Sequence, residues 1–313
     1  MVDRKPSMTA AVVAASLLLL PDDPLLGPLV DRSALPYIER NVREVAALLG
    51  LALDHVPWSV LRRLAFGVER GLSPGFIAHY ALRKHAVRAA LLAAVGEGHH
   101  QVVLLGAGFD MLSMSVPADA DIFEVDHPAT QAAKQRAIAN LPATRKVTFV
   151  GADLATEPLA TVLTRTPGFD RHRKTVFVAE GLFMYLERRV VVDLLDDIND
   201  LEGARLIATL MTPDRNGRAR LHSQRSVVDL CMRLLGEEFV WGASISGLEE
   251  LLSASGLSVQ SRLSSMEVAR TIGGLPRSRL PRPTGEVLLV ATALEQGAPR
   301  SHAQRGSVTP AQA

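Results

Sequence analysis

Gly106-Ala107-Gly108-Phe109-Asp110 follows a short apolar run, Gln101–Leu105, that reads as a buried strand. Glycines at such a turn let backbone approach a ligand where any side chain would clash. Twenty residues beyond Gly106, at the end of the next apolar run, stands Asp126 of Glu124-Val125-Asp126. In nucleotide-binding α/β proteins an acid at that offset accepts both hydroxyls of a ribose. The third and fourth runs close in Gly151-Ala152-Asp153-Leu154 and Ala179-Glu180-Gly181-Leu182. A lone Gly-x-Gly also serves as a tight strand-to-helix turn, and one carboxylate at a strand end can simply cap a helix. Neither accounts well for three acids and a glycine turn on the same edge. The set suits a ribose, an exocyclic amine and an ammonium, which together describe a nucleoside carrying an amino-acid tail.

Groups at strand ends meet only if the strands lie parallel in one sheet. Five unbroken apolar runs, Gln101–Leu105, Asp121–Val125, Val147–Val150, Thr175–Ala179 and Arg205–Leu210, are spaced to leave room for a helix between each. Unbroken rather than alternating apolar runs are expected of parallel strands covered on both faces. Helical patterns over Pro128–Asn140 and Arg188–Leu201 complete a doubly wound α/β arrangement with right-handed crossovers. Ligands of such sheets bind outside the carboxyl ends of the strands.

The flanks read differently. Residues 1–98 are mostly helical: Tyr37–Leu53 and Pro57–Val68 show three- and four-residue apolar spacing, and Ser73-Pro74 opens a helix running towards Val95. Beyond the fifth strand, Asp214–Leu235 reads as a basic amphipathic helix, and Ser246 with Glu249 forms a capping box for another that ends at Gly256. Two last strands, near Leu257–Leu263 and Gly285–Leu294, are expected to run antiparallel with no helix between them. Residues 99–295 thus form the α/β core, interrupted by a helical insertion near 212–247, and residues 296–313 have the composition of a disordered tail.

Composition narrows the class. The chain has 313 residues, 48% hydrophobic and 21% charged, enough to bury a core without metals or disulfides. Lys and Arg number 34 against 33 Asp and Glu, a net charge of +1, which gives no global basic field for nucleic acid or an anionic membrane. Cys231 is the sole cysteine, so neither an internal disulfide nor a multi-cysteine zinc site can form. The apolar run at 9–20 behind Arg4 and Lys5 looks like a secretory signal but lacks a small-x-small cleavage site and is too short to span a bilayer. It is expected to be a buried helix, in a cytoplasmic protein.

Taken together, Val103 to Asp110, Phe123-Glu124-Val125-Asp126-His127-Pro128, Gly151-Ala152-Asp153-Leu154 and Ala179 to Leu186 resemble the leucine carboxyl methyltransferase-like branch of S-adenosylmethionine-dependent methyltransferases, which includes bacterial polyketide O-methyltransferases. Tyr80-Ala81-Leu82-Arg83-Lys84-His85 matches more weakly, and the likeness extends over roughly residues 9–295. It implies a Rossmann-like class I methyltransferase fold, whose seven-stranded, mostly parallel sheet ends in an antiparallel strand, under a helical N-terminal cap. It also implies S-adenosylmethionine as cofactor. Gly106, with Gly108 in the same turn, would let the methionyl part lie against backbone. Asp126 would take the ribose, Asp153 the adenine amino group beside backbone of Leu154, Arg83 the carboxylate and Glu180 the ammonium. Arg83 also has a plainer reading as an exposed charge on an amphipathic helix.

This chain departs from the branch by reading Met111-Leu112-Ser113-Met114 where an Arg often follows the turn, which puts substrate class in question. The resemblance implies O-methylation of a carboxyl or hydroxyl group on a small molecule. Tyr185 is a candidate pocket residue; His127 and His222 are weak candidates for a base, and none is assigned. Arg215, Arg218, Arg220 and Arg225, with Met211, Met232, Leu234, Phe239 and Trp241, mark the insertion as a substrate region or simply as solvated face and core. Alternatives are an NAD-dependent oxidoreductase, a protein that binds the cofactor without transferring a methyl group, and an enzyme using the bound cofactor only as a positive charge.

Overall fold

The computed structural model describes residues 5–50, 58–142, 145–272 and 285–294. Four helices precede the sheet: α1 (Met8–Leu18), α2 (Leu35–Leu48), α3 (Trp58–Leu72) and α4 (Phe76–Gly96). The alternating part follows as β1 (Gln101–Leu105), β2 (Asp121–Asp126), α5 (Pro128–Ile138), β3 (Val147–Gly151), α6 (Leu159–Thr164), β4 (Thr175–Ala179), α7 (Arg188–Asn199) and β5 (Arg205–Met211). The chain then forms α8 (Ser226–Leu234), α9 (Ile245–Ala254), β6 (Leu257–Ser264), α10 (Ser265–Ile272) and β7 (Glu286–Ala293).

The seven strands form one sheet in the order β3-β2-β1-β4-β5-β7-β6. The first five are parallel, and β7 runs antiparallel to both β5 and β6. Strand order reverses between β1 and β4, where crossovers diverge to opposite sides and leave a crevice above the strand ends. Alternate residues of β1 feed two cores. Val102 and Leu104 join a layer built with α1, α2, α4 and α5, while Val103 and Leu105 join one built with α6, α7 and α9. β1 and β4 are buried throughout, whereas the edge strand β3 is only half buried. The apolar N-terminal run is α1, with Ala14 and Leu17 buried against the first layer.

Several local expectations fail for identifiable reasons. No α-helix separates β1 from β2; that stretch holds a four-residue 3-10 turn, Leu112–Ser115, begun by Asp110 accepting the Leu112 N–H at 2.9 Å. α4 starts at Phe76, after a left-handed Gly75 (φ 87°), so Pro74 precedes the helix rather than opening it. The helix expected over Asp214–Leu235 is confined to Ser226–Leu234. Before it, Asp214 turns the chain by accepting the N–H groups of Asn216 (2.8 Å) and Arg218 (3.0 Å), helped by Gly217 at φ 75°. His222 therefore lies in exposed coil and not on a helix. Ser244, not Ser246, caps α9, its Oγ accepting from Gly247 N at 3.2 Å. A helix, α10, does lie between the last two strands. Its start is a reciprocal cap, with Ser264 N donating to Glu267 and Glu267 N donating to Ser264 Oγ. The tail from 296 and the Leu280-Pro281-Arg282-Pro283 loop lie outside the described residues. Among the described residues no helix is long and apolar enough to cross a membrane.

Candidate active site

The crevice over β1 and β4 is a cleft of about 360 Å³. Arg83, Gly106, Gly108, Asp126, Asp153, Leu154 and Glu180 all line it, as does Tyr185. Topology is the reason: the acids close β2, β3 and β4, whose carboxyl ends share one rim.

Gly106 (φ 65°) and Gly108 (φ 52°) occupy left-handed backbone that disfavours side chains. Each is also crowded, since a Cβ on Gly106 would stand 3.0 Å from Leu182 Cδ1 and one on Gly108 3.2 Å from Ala10 Cβ. α1 therefore roofs the glycine turn at contact distance. The Asp126 carboxylate accepts the N–H of Gly108 and, at 2.6 Å, that of His127. Burial raises its pKa to about 6 despite those two donors. Asp153 Oδ1 accepts from Ala155 N at 3.0 Å.

Arg83 is not an exposed charge; its side chain is 7% exposed. Its Nε donates to Glu180 Oε1 at 2.7 Å, its Nη1 lies 3.0 Å from both oxygens of Glu286, and neither pairing uses Nη2. That end lies over Gly181, whose left-handed backbone (φ 66°) favours glycine. Lys84 pairs with Glu180 Oε2 at 2.7 Å and with Asp110. Burial works against the charge on Lys84, but Asp110 and Glu180 outweigh it and hold the ammonium above its usual range. His79 Nε2 contacts Glu286 Oε2 at 2.7 Å. Burial likewise opposes ionisation of Glu286, yet Arg83 and His79 bring its carboxyl down to about 2.

Sequence reasoning missed Lys84, Asp110, Glu286 and Glu237. Glu237 accepts the N–H groups of Met8 and Thr9, each at 2.7 Å, and fastens the start of α1 over the cleft. The i, i+4 spacing of His79 and Arg83 on α4 was a usable signal for a polar stripe; nothing local pointed to Glu286 or Glu237. His127, assigned no role from sequence, accepts the Ala129 N–H through Nδ1 at 3.3 Å and caps α5.

With this geometry in place, likeness to known proteins is decisive. The profile of the leucine carboxyl methyltransferase family matches residues 8–199. The chain belongs to the leucine carboxyl methyltransferase family. Curated relatives include provisionally named S-adenosyl-L-methionine-dependent methyltransferases. One from Mycolicibacterium gilvum is 32% identical over 62% of this chain and 61% of its own length. One from Mycolicibacterium paratuberculosis is 37% identical over 36% of this chain and 38% of its own. The chain thus spans between 38% and 61% of the length of these two relatives. Among solved structures, a DUF574 family protein from Streptomyces avermitilis superposes with a TM-score of 0.56 at 14% identity, covering 80% of this chain and 96% of its own. A provisionally named methyltransferase from Thermobifida fusca gives 0.51 at 19% identity, covering 80% of this chain and 93% of its own. This family member therefore has the class I methyltransferase fold, a seven-stranded, mostly parallel sheet with antiparallel strands at one end.

Proposed function

We propose that this family member transfers the methyl group of S-adenosylmethionine to a carboxyl or hydroxyl oxygen of a small molecule, as in the polyketide O-methyltransferase branch it resembles. The observation that carries this reading is the charge of the cleft. Asp110, Asp126, Asp153, Glu180, Glu237 and Glu238 line it against Arg83 and Lys84 as its only Lys or Arg side chains among the described residues. S-adenosylmethionine, with a sulfonium, an ammonium and one carboxylate, is a net cation and fits an acidic slot. A dinucleotide does not: its pyrophosphate seeks a helix N-terminus after the first strand, and here that position holds a short 3-10 turn. The oxidoreductase reading loses its main physical support.

The residues present match the cofactor group by group. Asp126 would hold the ribose, Asp153 and Leu154 the adenine, Glu180 the ammonium, and Arg83 with Lys84 the carboxylate. Gly106 and Gly108 supply open backbone beside them. When bound, the cofactor supplies an electrophilic methyl group on sulfur. The protein contributes alignment, which can lower such a barrier by several kcal/mol. α1 and Leu182 contribute exclusion of water.

A carboxyl acceptor asks less of the side chains around the cleft than a phenol does. A carboxylate is ionised at neutral pH and needs no base, whereas a phenol near pKa 10 benefits from one. His127 is engaged as a helix cap, and Tyr185 donates to Thr9 Oγ1 at 3.2 Å, its phenol held protonated by burial. Thermal unfolding with S-adenosylhomocysteine and with NAD tests the cofactor, and stabilisation by NAD alone would reject the proposal. Alkali treatment of the methylated product then tests the acceptor, because a methyl ester releases methanol and a methyl ether does not.

A further inference from the structure

A second cavity, of about 540 Å³, is cut into the segment between β5 and α9. It shares a wall with the cleft. Glu238 and Val240 line both, and Tyr185 on one side meets Phe239 on the other edge to face, ring centres 5.3 Å apart. The wall is pinned to the sheet: Val240 N donates to Met184 O at 2.8 Å and Ala243 N to Met211 O at 3.0 Å. At Gly242 a Cβ would stand 2.8 Å from Met211 O, so this close approach requires glycine.

Phe239, Trp241 and Met232 give the cavity an apolar side, and Arg218, Arg220 and Arg233 a basic one. Its two acids are already engaged, Asp229 with Arg220 and Glu238 with Arg233, each at 3.0 Å. Among the described residues Arg218 forms no ion pair, and Arg220 Nε is buried without a hydrogen-bond partner. Arg218 lines the cavity at an exposed position with no carboxylate among the described residues paired to it, so an oxyanion brought there gains a charge-assisted hydrogen bond. Guanidinium groups and aromatic rings lining one cavity suit a molecule with an acidic end and a ring-bearing body. The volume lies within the roughly 300–1,000 Å³ usual for small-molecule sites.

We infer that this cavity anchors the anionic end of an aromatic substrate, whose opposite end crosses Val240 and Glu238 to reach the methyl donor. The anion is the anchor and not the methyl acceptor. This rests on the methyltransferase reading for what is transferred, though anion binding stands alone. The test is calorimetric titration of the full chain, saturated with S-adenosylhomocysteine, using 2-naphthoate, 2-naphthyl phosphate and neutral 2-naphthamide. At least one anion should bind ten or more times tighter than the amide; the tighter anion tells whether the natural anchor is a carboxylate or a phosphate. Arg218→Gln, at an exposed position, should lose that preference while its affinity for S-adenosylhomocysteine stays within twofold. Equal binding of anions and amide, or an anion preference that survives Arg218→Gln, would overturn the assignment. Failure of S-adenosylhomocysteine itself to bind would instead sink the methyltransferase reading.

Discussion

Arg83 Nη1 on α4 lies 3.0 Å from both carboxylate oxygens of Glu286 on β7, and both side chains are buried. The antiparallel end of the sheet thereby holds a guanidinium that lines the cofactor cleft. Removing one partner of a buried pair leaves an uncompensated charge, which costs about 3–5 kcal/mol. Glu286→Ala should therefore lower the unfolding midpoint strongly and weaken binding of S-adenosylhomocysteine. Glu286→Gln, which keeps an acceptor for Arg83, should recover part of each. The carboxyl is depressed from 4.5 to about 2, so its stabilisation is complete above about pH 4.5 and is lost as pH falls through 2. Denaturant unfolding of wild type and Glu286→Gln across that window checks this, and a stability gap independent of pH would contradict it.

Asp126 behaves in the opposite sense. Its folded value, about 6, lies above the ordinary 3.8, so the unliganded protein gains stability from it as pH falls and loses that gain as pH rises through 6. Accepting two ribose hydroxyls requires the ionised form. Affinity for S-adenosylhomocysteine should fall about tenfold per unit below pH 6 while the empty protein becomes more stable. Asp126→Asn should bind weakly with no such slope between pH 5 and 7, as titration calorimetry would show. A flat profile in wild type would remove Asp126 from the ribose role.

Gly108→Ala forces a side chain into left-handed backbone and against Ala10. The backbone term alone is about 1–2 kcal/mol, and displacement of α1 should weaken cofactor binding further. Gly96→Ala is the control: that residue ends α4 with nothing within 4 Å of a Cβ, and alanine there should stabilise by up to about 1 kcal/mol. Thermal melts with and without S-adenosylhomocysteine separate the two effects.

What could be read beforehand follows from what is local. The strand runs and the acids at their ends were legible because burial on both faces writes an unbroken apolar pattern, and because parallel topology then places every carboxyl end on one rim. Asp126, Asp153 and Glu180 needed nothing more. The partners of Arg83 were not legible: Glu286 lies 203 residues away, and no local rule links the two. The stretch before α8 was misread because its basic, apolar spacing outweighed Asp214 and Gly217, whose turn chemistry governs the chain there. α10 was missed although Ser264 and Glu267 carry a capping box, since the Pro-rich loop that follows dominated the reading.

Glu237 joins segments 229 and 228 residues apart by accepting the N–H groups of Met8 and Thr9 at 2.7 Å. Ser7 Oγ takes the next, from Ala10, at 3.1 Å, so the first three N–H groups of α1 are all satisfied from outside the helix. A carboxylate at a helix N-terminus also gains from the helix dipole. Because α1 touches the glycine turn at Ala10, releasing its first turn uncovers the cofactor cleft. Charge-assisted hydrogen bonds contribute about 1.5–3 kcal/mol each, so losing both should raise local opening by roughly a hundredfold to ten-thousandfold. Glu237→Ala should speed amide exchange in peptides covering residues 8–13 by that factor and leave β1 and β4 protected. S-adenosylhomocysteine should also dissociate faster. Exchange over α1 unchanged from wild type would mean that the helix is held by its apolar face alone, and that Glu237 does not fasten it.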